Sequence, residues 1–198
     1  MSLTEEGWMA EGDFLDDRRR ASEDEHFRRK DRELIEKMRQ AAAAERARTD
    51  LTAKSGLQDP QLIGDLQELG FTPDTLAVLP LVPIVQMAWA EGGITPAERA
   101  LLLKLARERG IAEGSAADQL LATWMVQRPS DQVFSRATRL IRAMLDTGAN
   151  TGTMSADDVI KYAESIAAAS GGILGIGKVS AEERATLASI AAQLKARG

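Results

Sequence analysis

A helix, a Gly-Gly turn and a capped second helix fill Val82 to Gly110, and the same order returns at the C-terminus, so the fold must accommodate a duplicated helical unit. From residue 166, IAAASGG is followed by a short insertion and then by VSAEERATLASIAAQLKARG. Between the copies Glu98/Glu183, Arg99/Arg184, Ala100/Ala185, Leu102/Leu187 and Ala106/Ala191 are identical in register. Thr95-Pro96-Ala97-Glu98 places a hydroxyl at the N-cap, proline at the first helical position and a carboxylate at the third, which predicts a capping box. Leu101, Leu102, Leu105 and Ala106 then recur at spacings of three and four, with Arg99, Lys104, Arg107 and Arg109 expected in solvent and Gly110 as the terminator. Ser180 to Glu183 repeats the cap, and Leu187, Ile190, Ala191 and Leu194 repeat the stripe.

The stretch AWAEGGITPAERALLLKLA resembles the recurring signature of the TerB-like family, the helical domain of tellurite-resistance protein B. The resemblance extends over residues 75 to 198. It implies a compact helical bundle associated with stress, and it draws attention to Glu91 and Glu98 as divalent-cation ligands across the Gly-Gly turn. In the family Asp often precedes the turn glycine, where this chain has Glu91, and the second copy has Ser170 there. Glu98 is also the acid of the capping box, and two carboxylates need further oxygens to hold a cation.

The rest of the chain also reads as helix. Asp59-Pro60 starts a short segment that Gly70 ends, with Phe71 packing beyond it. Thr72-Pro73-Asp74 opens another, whose course Pro80 and Pro83 break or kink. Ile84 to Ala90 is apolar on nearly every side and predicts a buried central helix. Ser115, Ser130 and Ser155 cap three more helices, and no segment alternates with period two for long enough to form a strand. The expected fold is therefore all-α, with a bundle of about seven helices over residues 56 to 198.

The N-terminal part is different in kind. Residues 1 to 13 carry four acids, two glycines and no base, and an acidic tail without regular structure is expected there. From Phe14 to Ala53 neither Gly nor Pro occurs, and ten acids stand against eleven bases, which predicts a long charged helix. Its apolar residues are few: Phe27, Leu34, Ile35 and Met38, followed by four alanines. Only Phe27, Leu34 and Ala41 keep a period of seven, a thin coiled-coil signal. Lys54 to Gln58 reads as a hinge. EDEHFRRKDRELIEKMRQ is similar to the inhibitory helix of the mitochondrial ATP synthase inhibitor family, which implies an ATPase partner met by His26, Phe27, Leu34 and Met38.

Composition closes off several chemistries. Cysteine is absent, which excludes disulfides and thiolate sites, and the single histidine rules out a multi-histidine metal centre. A net charge of −5, with neither sign gathered into a long block, argues against nucleic acid. No secretory signal is visible at the acidic start and no apolar run is long enough to span a bilayer, so a cytoplasmic location is expected. Gly172 to Lys178 satisfies most of the phosphate-loop pattern, but valine stands at 179 and a helix precedes it where a strand is required. Asp146 to Asp157 hints at a calcium loop, yet Gly148 occupies its third place and aspartate its twelfth.

The residues left for function are contact residues. Phe27, Leu34, Ile35 and Met38 offer an apolar face to a groove, and Ile173, Leu174 and Ile176 offer a second touch point, for a protein or a membrane surface. Trp89, Trp124 and Met87 read as core. A non-catalytic adaptor without a cofactor, acting through protein contacts, is the leading expectation. An ATPase regulator and a divalent-metal-binding stress protein are the alternatives.

Overall fold

The computed structural model describes the backbone of residues 5–148, 155–170 and 179–195, with the side chains of residues 25–148, 155–169 and 179–195. Every regular element among these is helical: α1 (Glu5–Ser55), α2 (Pro60–Glu68), a 3₁₀ segment (Leu76–Leu81), α3 (Val82–Ala88), α4 (Pro96–Glu108), α5 (Ala116–Val126), α6 (Asp131–Asp146), α7 (Ala156–Ser170) and α8 (Ala181–Lys195). The all-α expectation and the long N-terminal helix are both met. No described helix is long and apolar enough to cross a membrane.

Local chemistry sets the helix boundaries. The Asp59 side chain accepts the Gln61 N–H at 2.8 Å, and Pro60 follows at the start of α2. Thr95, Ser115 and Ser130 cap α4, α5 and α6 by accepting the N–H three residues on. Two helices close in the same way: Phe71 N–H returns to Leu66 O at 2.9 Å past Gly70, and Ile111 N–H returns to Ala106 O at 3.0 Å past Gly110. Both glycines have positive φ, and the apolar residue after each is buried, as the Schellman arrangement requires. The segment opened by Thr72 forms a 3₁₀ helix, not an α-helix, because Pro80 inside it has no N–H to give to a longer ladder.

The core gathers on α3, which meets α4, α6, α7, α8 and the 3₁₀ segment. Six of its seven residues, Val82 to Val85 with Met87 and Ala88, are buried, as an all-round apolar helix predicts. Phe134, Ala137, Leu140, Ile141 and Met144 on α6 and Val159, Ala163, Ile166 and Ala167 on α7 pack around it. Outside this core, Arg136 of α6 bonds Asp65 and Glu68 of α2, and Arg139 reaches Asp65 at 3.0 Å.

Four expectations need correction. The chain divides into two compact units, and the second begins at Ala47, inside α1, rather than at residue 56. Leu51, Ser55 and Leu57 are buried, so Lys54 to Gln58 is a packed corner and not a hinge. At that corner Ser55 Oγ accepts the Leu57 N–H at 3.2 Å. Residues 5 to 13 belong to α1, against the expectation of an irregular tail. Glu5, Glu6, Met9, Ala10 and Glu11 are good helix formers, and acids are favourable at a helix N-terminus, which offsets two glycines at about 1 kcal/mol each. Finally, Arg99 and Arg109 are drawn partly inside, where Arg99 donates to Met125 O at 2.9 Å.

Candidate functional site

Two places stand apart from ordinary packing. The first is the described part of α1 up to Arg46, where every residue from Glu25 onward is exposed. Phe27, Leu34, Ile35 and Met38 are 62%, 58%, 49% and 64% exposed, among the few large apolar side chains of the described residues left outside the core. At 3.6 residues per turn their spacing puts them on one side of the helix. His26 meets Phe27 edge-on with ring centroids 6.4 Å apart, and Arg29 Nη2 lies 3.4 Å from His26 Nδ1. These contacts are local, so the apolar face stays open.

The second is the pair of helix starts made by the duplication. Thr95 N–H and Oγ1–H both donate to Glu98 Oε2 at 2.7 Å, and the Glu98 N–H donates back to Thr95 Oγ1 at 3.3 Å. In the second copy Ser180 N–H donates to Glu183 Oε2 at 2.7 Å, and the Glu183 N–H returns to Ser180 Oγ at 3.1 Å. Glu98 and Glu183 are only 3% and 2% exposed, unusual for glutamates. Burial pushes the Glu98 carboxyl above its ordinary range, the Thr95 bonds pull it back, and the negative charges of Glu183 and Glu91 add to the upward push. The two copies therefore bring their cap acids into one electrostatic neighbourhood. The twin register of Glu98 and Glu183 carried that signal in the sequence.

Glu91 is exposed on the turn after α3, whereas Glu98 is buried and engaged by its own cap. Among the described residues no group of three His, Asp or Glu side chains is arranged to hold a metal ion. Ile173, Leu174 and Ile176, with the phosphate-loop-like segment around them, lie outside the described residues. Met87 is buried, and Trp89 and Trp124 lie partly buried against the core.

Sequence reasoning missed the polar clamps around α5. Trp89 Nε1–H donates to Trp124 O at 2.8 Å, and Arg99 serves Met125 O next to it, so two carbonyls at the end of α5 are satisfied by α4 and the turn before it. Arg107 holds Ile111 O and Asp118 at 2.8 and 2.7 Å, and the Asp118 carboxyl is held below its ordinary range by the Gly114 N–H and then by Arg107. No local pattern marks the Trp89–Trp124, Arg99–Met125 and Arg107–Asp118 contacts, because each needs two helices to be placed first.

No protein-family model matches the chain, and neither a curated protein nor a solved structure matches it.

Proposed function

We propose that this chain is a non-catalytic protein-binding module, an adaptor of the TerB-like, stress-associated kind, whose contact surface is the apolar face of α1. One observation carries the reading: Phe27, Leu34, Ile35 and Met38 stand exposed together, while the other large apolar residues among those described are mostly buried. An amphipathic helix of this kind binds by laying its apolar residues into a groove, with a few anchors supplying most of the affinity. The resemblance to the TerB-like signature supports the bundle's role as the folded body that carries this helix. The cytoplasm is the compartment this reading assigns.

Affinity capture from a native lysate tests it, using the full chain and its Phe27→Ala/Leu34→Ala variant. Each truncation should cut capture about tenfold or more, the size of an interface anchor. Unchanged capture by the double variant would remove α1 as the contact surface. Recovery of ATP synthase subunits by the parent chain alone would identify the ATPase-regulator form of the same reading.

A further inference from the structure

The charges around the apolar face of α1 are sorted by position. With 100° per residue, Phe27, Leu34 and Met38 fall within about 40° of one another, and Ile35 lies about 60° further round. Lys30 and Lys37 border this stripe beyond Leu34, and Arg28, Arg39 and Arg46 border it beyond Ile35. Asp31 and Glu45 are the acids on the same side of the helix, so the face carries five bases against two acids. Glu25, Glu33 and Glu36 lie on the back, with Arg29 and Arg32. All of these side chains are exposed, and the basic edges are open to a partner.

We infer that the occupant of this face is another protein, one whose apolar groove has acidic edges. This deepens the reading of α1 as a binding face and rests on it. The anchors from Phe27 to Met38 span about 17 Å, and along that run the face sets Arg28, Lys30 and Lys37 against Asp31 alone. Glu45 lies about two turns past Met38, outside the run. Carboxylates on both rims of a groove meet the basic edges while its floor takes the apolar anchors, so charge selects the partner and burial holds it. Other occupants fit less well. A second copy would bring basic edge against basic edge in either orientation. An anionic lipid surface is flat, so it would meet the whole of one continuous helix, including residues 5 to 24 with their eight acids against three bases. It would also press Asp31 into the acyl boundary, where a carboxylate loses its water. A groove no longer than the anchor run ends before the acidic segment begins.

Calcium-loaded calmodulin is the probe, because its groove is edged with acids and its methionine-rich floor adapts to many anchor spacings. Labelled calmodulin titrated with the full chain should show by fluorescence anisotropy a Kd of roughly micromolar order, weakening as salt is added. EDTA closes the groove but leaves its acids in place, and should abolish binding. Phe27→Ala/Leu34→Ala and Lys30→Glu/Lys37→Glu should each weaken binding about tenfold or more. Adding Glu33→Lys/Glu36→Lys to the second variant restores the net charge on the back of the helix and should recover little. Circular dichroism confirms that each variant keeps its helix. A parent chain that does not bind overturns the proposal, as does binding that survives EDTA or the edge exchange, or full recovery by lysines on the back. Cosedimentation with vesicles of phosphatidylcholine and phosphatidylserine, at about 7:3, that needs Phe27 and Leu34 would assign the face to lipid and overturn it too. If calmodulin fails to bind but capture from lysate still needs Phe27 and Leu34, only the acidic groove falls. If capture is also indifferent to them, the binding-face reading falls with it.

Discussion

Helix α6 and the Glu25–Arg46 part of α1 use much the same alphabet, arginine, alanine, leucine, isoleucine, methionine and one phenylalanine, and arrive at opposite fates. On α6 the apolar residues recur every three or four places, Phe134, Ala137, Leu140, Ile141 and Met144, and all are buried. On α1 Phe27 is followed at those spacings by Lys30 and Asp31, so the stripe misses a turn, and all its residues stay exposed. Charge shows the same contrast. Arg136 and Arg139 on α6 cross to Asp65 and Glu68 of α2, whereas the α1 charges line an open face. Helix propensity makes both helices; only an unbroken stripe commits one of them to the core.

The largest effect should come from exchanging the two phenylalanines for alanine. Phe134 is fully buried, with the Arg128 guanidinium 5.2 Å from its ring centroid. Phe134→Ala should destabilise the bundle by about 3–5 kcal/mol, through lost burial and the cavity left behind. Phe27→Ala should stay within about 0.5 kcal/mol, as exposed positions do. Urea denaturation followed by tryptophan fluorescence reads both, and comparable losses would erase the distinction between the two helices.

Next is the α2–α6 ion network. Asp65 is 15% exposed at its side chain and accepts from both arginines. Asp65→Ala should cost about 1–2 kcal/mol, since Arg136 keeps Glu68 as a partner. The hydrogen bond from Arg136, with the positive charges of Arg136 and Arg139, holds the Asp65 carboxyl below its ordinary range. Its folded value is below its unfolded one, so its contribution is complete above the ordinary carboxylate range and disappears as pH falls through the folded value. Denaturation at pH 7 and again in acid should therefore show a penalty for Asp65→Ala that shrinks on acidification. A pH-independent penalty would assign the effect to packing.

How much of this was legible follows from how far each feature reaches. The caps at Asp59, Thr95, Ser115, Ser130 and Ser180 and the stops at Gly70 and Gly110 are decided within six residues, and each was readable. The buried α3 was readable because no side of it is polar. Leu51 and Leu57 were not, since their burial depends on α1 ending against the bundle, and the charged residues around them masked the change. The Asp65–Arg136 and Trp89–Trp124 pairs were hidden for the same reason. Thr95→Ala and Ser180→Ala measure the readable part: each should cost about 1 kcal/mol, and similar losses in chemical denaturation would show that the two copies share one capping chemistry.

The smallest effect is the most discriminating, because it asks what burial does to a charge that remains hydrogen-bonded. Glu98 sits at the start of α4, where the helix dipole and two Thr95 donors favour its carboxylate, yet burial and the charges of Glu183 and Glu91 oppose it. Glutamine keeps an oxygen for Thr95 and removes the charge. With its folded value above its unfolded one, Glu98 takes up a proton on folding at intermediate pH. Its contribution is greatest below the ordinary carboxylate range and is lost as pH rises through the folded value. Glu98→Gln should therefore be neutral or slightly stabilising at pH 7, by under about 1 kcal/mol, and that advantage should vanish as pH falls toward the ordinary carboxylate range. Melting curves of the two proteins should converge on acidification. If Glu98→Gln is instead destabilising at pH 7, the N-terminal dipole and cap outweigh burial at this site.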